Sequence, residues 1–150
     1  MRILTISLGR RALLALLLGL GVLFGHAASA ITVTASPTTC ASVVGIGTVN
    51  WSNPARAISS NNSYATASVD GATTRYLQCT GYGFAIPVGA TINGITVSVE
   101  RRSNRITDGG SKDAAMRLIK AGVIDPLTNR ATATIYTTAD VIEAHGGAAD

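Results

Sequence analysis

Residues 82–102 read YGFAIPVGATINGITVSVERR. The first half is apolar without a clear period and is interrupted by Pro87, Gly89 and Gly94. From Ile95 the pattern turns regular. Ile95, Val97 and Val99 face one way, and Thr96, Ser98 and Glu100 face the other. Period two with β-branched residues specifies a half-buried strand. Tyr82 to Ile86 reads as a short strand that ends at Pro87, which has no backbone donor for a ladder. The sequence PVGA then supplies a turn, and Gly94 suits a bulge or a close backbone approach. A phosphate-loop reading of GATING fails. It lacks Gly-Lys-Ser/Thr, and a strand follows where a helix would have to begin. The stretch is therefore strand, turn, strand, and it sets an all-β expectation.

The same pattern continues on both sides. ITVTA at 31–35 alternates, and CASVVGIGTVNW at 40–51 is β-branched and broken by two glycines. SNPARAISSNNS at 52–63 is rich in turn formers and reads as a loop with one helical turn. YATASVD alternates and meets Asp70-Gly71, a strong hairpin signal. TTRYLQCT at 73–80 follows as a strand. Beyond the opening stretch, 103–113 is a loop, AAMRLIKAG at 114–122 reads as a strand, and RATATIYTT at 130–138 alternates again. The last segment, ADVIEAHGGAAD, is expected to be a short helix or loop. About seven short strands separated by turn signals suit an antiparallel sandwich or barrel.

Residues 1–30 carry a different message. Arg2, Arg10 and Arg11 precede an uncharged run of 14 residues, ALLALLLGLGVLFG, and then HAASA. This is the three-part pattern of a secretory signal peptide, with cleavage expected after Ala30. A membrane span needs about 20 apolar residues, so an anchor is the weaker reading. Arg10-Arg11 raises the twin-arginine route, but the run after it is very apolar and ordinary export is preferred. The leader holds three of the 12 basic residues and none of the 8 acidic ones, so residues 31–150 carry 9 against 8. A net charge of +1 gives no support for nucleic-acid or anionic-membrane binding. The length of 31–150 fits one domain.

Cys40 and Cys79 are the two cysteines of the chain. An even count in an exported protein suggests one disulfide, worth roughly 4 kcal/mol for a loop of this size in the chain-entropy model. Free thiols or a metal pair are the alternatives, and no further ligands stand at metal spacing.

Chemistry-bearing residues are few. Arg101, Arg102 and Arg105 cluster at a strand end; they could hold a phosphate, a sulfated glycan or an acidic lipid, but a solvated, pairing-resistant strand end is the favoured reading. Aromatics do not interleave with them as single-strand nucleic-acid binding requires. Asp108 and Asp113 flank glycines, but DGGSKD matches neither calcium-loop spacing, and no metal ligands are assigned. His145 is the one histidine outside the leader and lies in a Gly-flanked tail, without a nucleophile motif nearby. Glu100 and Glu143 are the two glutamates, and nothing in the sequence pairs them. No catalytic residue and no cofactor is expected. Trp51, Tyr64, Tyr76 and Tyr82 could stack on sugar rings, though core and turn packing is the favoured reading in a domain with so few aromatics. Asn61-Asn62-Ser63 is formally a glycosylation sequon, read as chance beside a compact, bacterial-looking leader.

Several of these segments together resemble a known module. Asn53-Pro54, Tyr64-Ala65-Thr66, Gly83 to Pro87 and the Gly-x-x-Ile-x-Gly-Ile run from Gly89 to Ile95 look like a recurrent domain of exported bacterial and phage-associated proteins. Such modules are similar to jelly-roll sandwiches and sit at the front of large surface proteins. Some of those resemble adhesin-like proteins of mannose-sensitive haemagglutinin pilus clusters. The resemblance covers about residues 51–150 and brings no catalytic or binding residues with it. The pattern normally continues with a Trp-Gly strand and a Thr-x-x-Asp-Ile-Asn segment, whereas this chain ends at HGGAAD. The expectation is a sandwich short of its last strands, with an edge left unpaired.

The sequence therefore leads to a signal peptide at 1–30 and a jelly-roll-like antiparallel β-sandwich at 31–150. The expected role is non-enzymatic, in adhesion or pilus assembly, in the periplasm, on the cell surface or secreted. A carbohydrate-binding module using Trp51, Tyr64, Tyr82, Arg101 and Arg102 is the alternative, and a small hydrolase ranks last. Surface glycans and other subunits of a surface assembly are the candidate partners. The membrane enters only through the leader during export.

Overall fold

The computed structural model describes residues 31–106 and 109–147. The leader and Asp108 lie outside the described residues. The chain divides into Met1–Val33 and Thr34–Asp150. Of the first unit, residues 31–33 are described, extended and exposed. All the regular structure among the described residues lies in the second unit. Among the described residues strand accounts for 28% and helix for 4%, with no helix of seven residues or more. The protein is all-β, as the alternation at 95–100 implies. Among the described residues no helix is long and apolar enough to cross a membrane.

Six strands form three antiparallel pairs. β1 (Thr39–Val43) pairs with β2 (Tyr76–Thr80), β3 (Ile95–Arg101) with β6 (Val141–Gly147), and β4 (Ile119–Lys120) with β5 (Val123–Ile124). Cys40 stands directly opposite Cys79 in the first ladder. The disulfide links them at S–S 2.06 Å, with Cα atoms 4.1 Å apart. The 3-10 turn Pro54–Ile58 packs on β1. It is the helical turn expected in this loop, started by Pro54, whose missing N–H is harmless there. PVGA also turns as expected, with the Ala90 N–H donating to the Pro87 carbonyl at 3.1 Å.

Several expected strands are not ladders. Residues 31–35 alternate but pair with no strand among the described residues. The 64–69 segment makes one bridge, Ser52 with Thr66. It cannot grow, because Pro54 follows two residues later without a donor. Residues 82–86 are not a strand: Gly81 and Gly83 have φ of 77° and 65°, which breaks the extended run. Residues 114–122 pair only at Ile119–Lys120. Residues 130–138 are extended, but their backbone hydrogen bonds go to three separate partners: Met116, Ser111 and Ser103. Alternation makes a segment fit for a sheet, and a contiguous neighbour makes it a strand.

The C-terminal segment corrects the sequence reading most. It is neither helix nor loop. Residues 141–147 form β6 and lie along the whole length of β3, from Ile95 opposite Gly147 to Arg101 opposite Val141. The segment VIEAHGG hides this by its glycines and by two polar residues on the inward face. That inward face carries Val97, Val99 and Arg101 from β3, with Glu143 and His145 from β6. Among the described residues, Arg101, Asp125 and His145 are buried, and Cys40 is the one apolar residue with them. The interior beside β3 and β6 is thus largely polar.

Candidate functional site

The polar interior is built by strand register. Arg101 continues the face of Val97 and Val99, so the alternation that buries the valines also buries the guanidinium. Glu143 and His145 are two residues apart on β6 and point the same way. Asp113 comes from the loop after β3, and Thr132 and Tyr136 come from the extended segment before β6.

Their contacts are dense. Arg101 Nη1 donates to Asp113 Oδ2 at 2.5 Å, and Nη2 donates to Glu143 Oε2. The guanidinium lies over the Tyr136 ring, 4.3 Å from its centroid. The Tyr136 hydroxyl donates to Asp113 Oδ1 at 2.6 Å. The Thr132 hydroxyl lies between Glu143 Oε1 and Asp113 Oδ2. His145 Nδ1 is 2.9 Å from the Arg130 carbonyl and donates to it. That anchors the ring and turns Nε2 toward the carboxylates. Nε2 is buried without a hydrogen-bond partner and faces Asp113 Oδ2 at 3.7 Å.

Burial pushes the Asp113 carboxyl up. Hydrogen bonds from Tyr136 and Arg101, with the guanidinium charge, outweigh it and hold the group below the usual carboxylate range. The Tyr136 phenol is pushed up to about 12 by burial and then by its bond to Asp113. Two carboxylates, those of Asp113 and Glu143, thus share the single guanidinium of Arg101.

The residues singled out in the sequence are dispersed. Trp51 is a structural pin: its indole N–H donates to the Arg75 carbonyl at 2.8 Å, and its backbone N–H donates to Ser42 Oγ at 3.1 Å. Tyr82 stacks on Phe84 with centroids 5.9 Å apart. Tyr64 and Arg102 do meet, with the guanidinium 5.9 Å from the ring centroid, and Arg102 also stands 3.7 Å from Asp140. Arg101 turns away from Arg102, into the interior. Glu100 accepts from the Ser60 hydroxyl on the opposite face of β3 from Glu143. A separate depression of about 290 Å³ is lined by Gly45, Tyr76, Arg117, Ile124 and Pro126.

Sequence reasoning grouped Arg101 with its neighbours as surface charge and placed His145 in a loose tail. A readable signal existed for Arg101, since period two from Ile95 assigns it to the apolar face. The Glu-x-His pattern of β6 was readable only with a strand assignment, which the glycines obscured.

No protein-family model, no curated protein and no solved structure matches this chain.

Proposed function

We propose that this is a non-enzymatic, exported β module that works by surface contact in an adhesive or pilus-like assembly and folds as a jelly-roll-like sandwich. The observation that carries this reading is the segment between β2 and β3. Phe84, Ile86 and Ile92 are 48%, 55% and 57% exposed, and Val88 is fully exposed. Among the described residues, the one backbone hydrogen bond within 82–94 is the Pro87–Ala90 turn. Exposed apolar side chains close together on backbone without a ladder partner suit contact with another subunit. The disulfide supports a compartment outside the cytoplasm, in keeping with a leader at 1–30. The resemblance of 51–150 to modules at the front of large surface proteins points the same way.

The test is to express the full chain in a bacterial host and follow processing, surface retention and assembly size. Processed wild type should be held in high-molecular-weight surface material. A Phe84→Ser/Ile86→Ser/Val88→Ser variant should be released as monomer with its disulfide and dichroism intact. Freely released, monomeric wild type would refute the reading.

The depression beside Tyr76 favours a second reading, carbohydrate binding. An aromatic ring, a proline face and an arginine line a space close to the size of small-ligand sites. A glycan array decides it. Saturable binding lost in Tyr76→Ala but kept in Trp51→Ala and Arg102→Ala would support this depression as the sugar site. Loss in Trp51→Ala or Arg102→Ala would assign the sugar to the residues expected from sequence. Silence across the array retires both.

A further inference from the structure

We propose that Asp113, Glu143 and His145 form a site for one divalent transition-metal ion of the zinc class, with Arg101 as the exchangeable counter-charge that holds the site together without metal. This inference does not rest on the surface-assembly reading.

Three observations converge on it. One ligand atom from each of the three residues lies within 4.8 Å of the others. The His145 side chain is 1% exposed, and its Nε2 has no hydrogen-bond partner and faces a carboxylate oxygen. An imidazole whose Nδ1–H is anchored on a backbone carbonyl is the usual outer-shell arrangement of a metal-binding histidine. Two carboxylates of the cluster also share one guanidinium. A dication balances the two carboxylates outright once the guanidinium withdraws.

The donor set selects the metal class. One imidazole and two carboxylates suit zinc and its neighbours and leave a fourth position for water. Calcium and magnesium favour oxygen throughout. Ligand atoms around a tetrahedral ion with bonds of about 2.0–2.1 Å stand roughly 3.3 Å apart, so the three residues must close inward. Arg101 occupies an oxygen of both carboxylates and must release at least one. A cavity of about 40 Å³ beside it, lined in part by Thr134, Ile135, Tyr136 and Val141, gives it room to shift while it keeps the Tyr136 ring. Bound metal would then join the loop after β3 to β6.

The full chain, with its disulfide intact and after chelator treatment, is titrated with Zn²⁺ by calorimetry and with Co²⁺ by visible absorption. One equivalent should bind saturably. His145→Gln should weaken binding by at least about 100-fold, and Glu143→Gln should weaken it clearly. Arg101→Lys, which holds the carboxylates less firmly, should bind about 10-fold more tightly than wild type. Nitrogen-15 NMR of the wild type needs no variant: Zn²⁺ should shift Nε2 of His145 and leave Nδ1 protonated. Absence of saturable uptake, unchanged affinity in a folded His145→Gln, or an unmoved Nε2 signal would overturn the site. Unchanged affinity in Arg101→Lys would overturn the exchange with Arg101.

Discussion

Arg101 reaches Glu143 diagonally across the β3–β6 ladder: its register partner is Val141, and Glu143 lies two residues further along, opposite Val99. The same guanidinium holds Asp113 of the following loop. One buried cation thus ties two strands and a loop. Arg101→Met leaves two carboxylates in the interior with no counter-ion, and loss of one partner from a buried pair costs about 3–5 kcal/mol. Urea unfolding should show a loss of that size, a large share of what a domain of this size possesses. The triple variant Arg101→Met/Asp113→Asn/Glu143→Gln carries no orphaned charge and should recover part of it. Equal losses in the two variants would mean that the packing of Arg101, not its charge, holds the cluster.

The Cys40–Cys79 bond closes a loop with a sequence separation of 39 residues. Restricting the unfolded chain by a loop of that length is worth about 4 kcal/mol. Cys40 is also the one buried apolar residue among those described, so removing the bond disturbs packing as well. Cys40→Ala/Cys79→Ala should lower the urea midpoint strongly, and reduction of the wild type should do the same. A midpoint insensitive to reductant would show that the β1–β2 ladder is held by its hydrogen bonds and by the turn packed on it.

The all-β class, the disulfide, the turn at Pro87 and the helical turn at Pro54 were legible because each depends on local chemistry. A proline, a cysteine pair or a period-two run acts through its own backbone. Strand partners were not legible in the same way. Residues 130–138 alternate as cleanly as 95–100, yet their hydrogen bonds scatter over three segments. Residues 141–147 alternate poorly, yet they form the longest ladder together with β3. The difference lies in which chain runs alongside, and that is fixed by long-range packing. The buried cluster escaped for the same reason: Asp113 and Glu143 are brought together by a pairing that no local pattern announces.

The β4–β5 hairpin turns through Ala121 and Gly122, both with positive φ, at 49° and 81°. Two positive φ values in a two-residue loop define a type I′ turn, which favours Asn-Gly. Alanine in the left-handed region costs about 1–2 kcal/mol, and asparagine tolerates it better. Ala121→Asn should raise stability by about 0.5–1 kcal/mol, read as a higher thermal midpoint with unchanged dichroism. A lower midpoint would show that the alanine methyl is used in packing.

Asp125 gives the fold a dependence on acid. Its carboxylate accepts from Lys120 Nζ at 2.7 Å and from the Leu127 N–H at 2.9 Å. These bonds, led by Lys120, hold it below the usual carboxylate range against the opposing effect of burial. A carboxyl depressed in the folded state binds its proton more readily once unfolded. Its stabilising contribution is therefore complete above the unfolded value of about 3.9 and fades as pH falls through the folded value. Wild type should exceed Asp125→Asn in stability near neutral pH, and the gap should narrow through the acid range below about pH 4. Lys120→Met should narrow the gap only in part, because the Leu127 N–H still favours the charged form. Parallel acid-unfolding curves for wild type and Asp125→Asn would remove this carboxylate as a source of acid sensitivity.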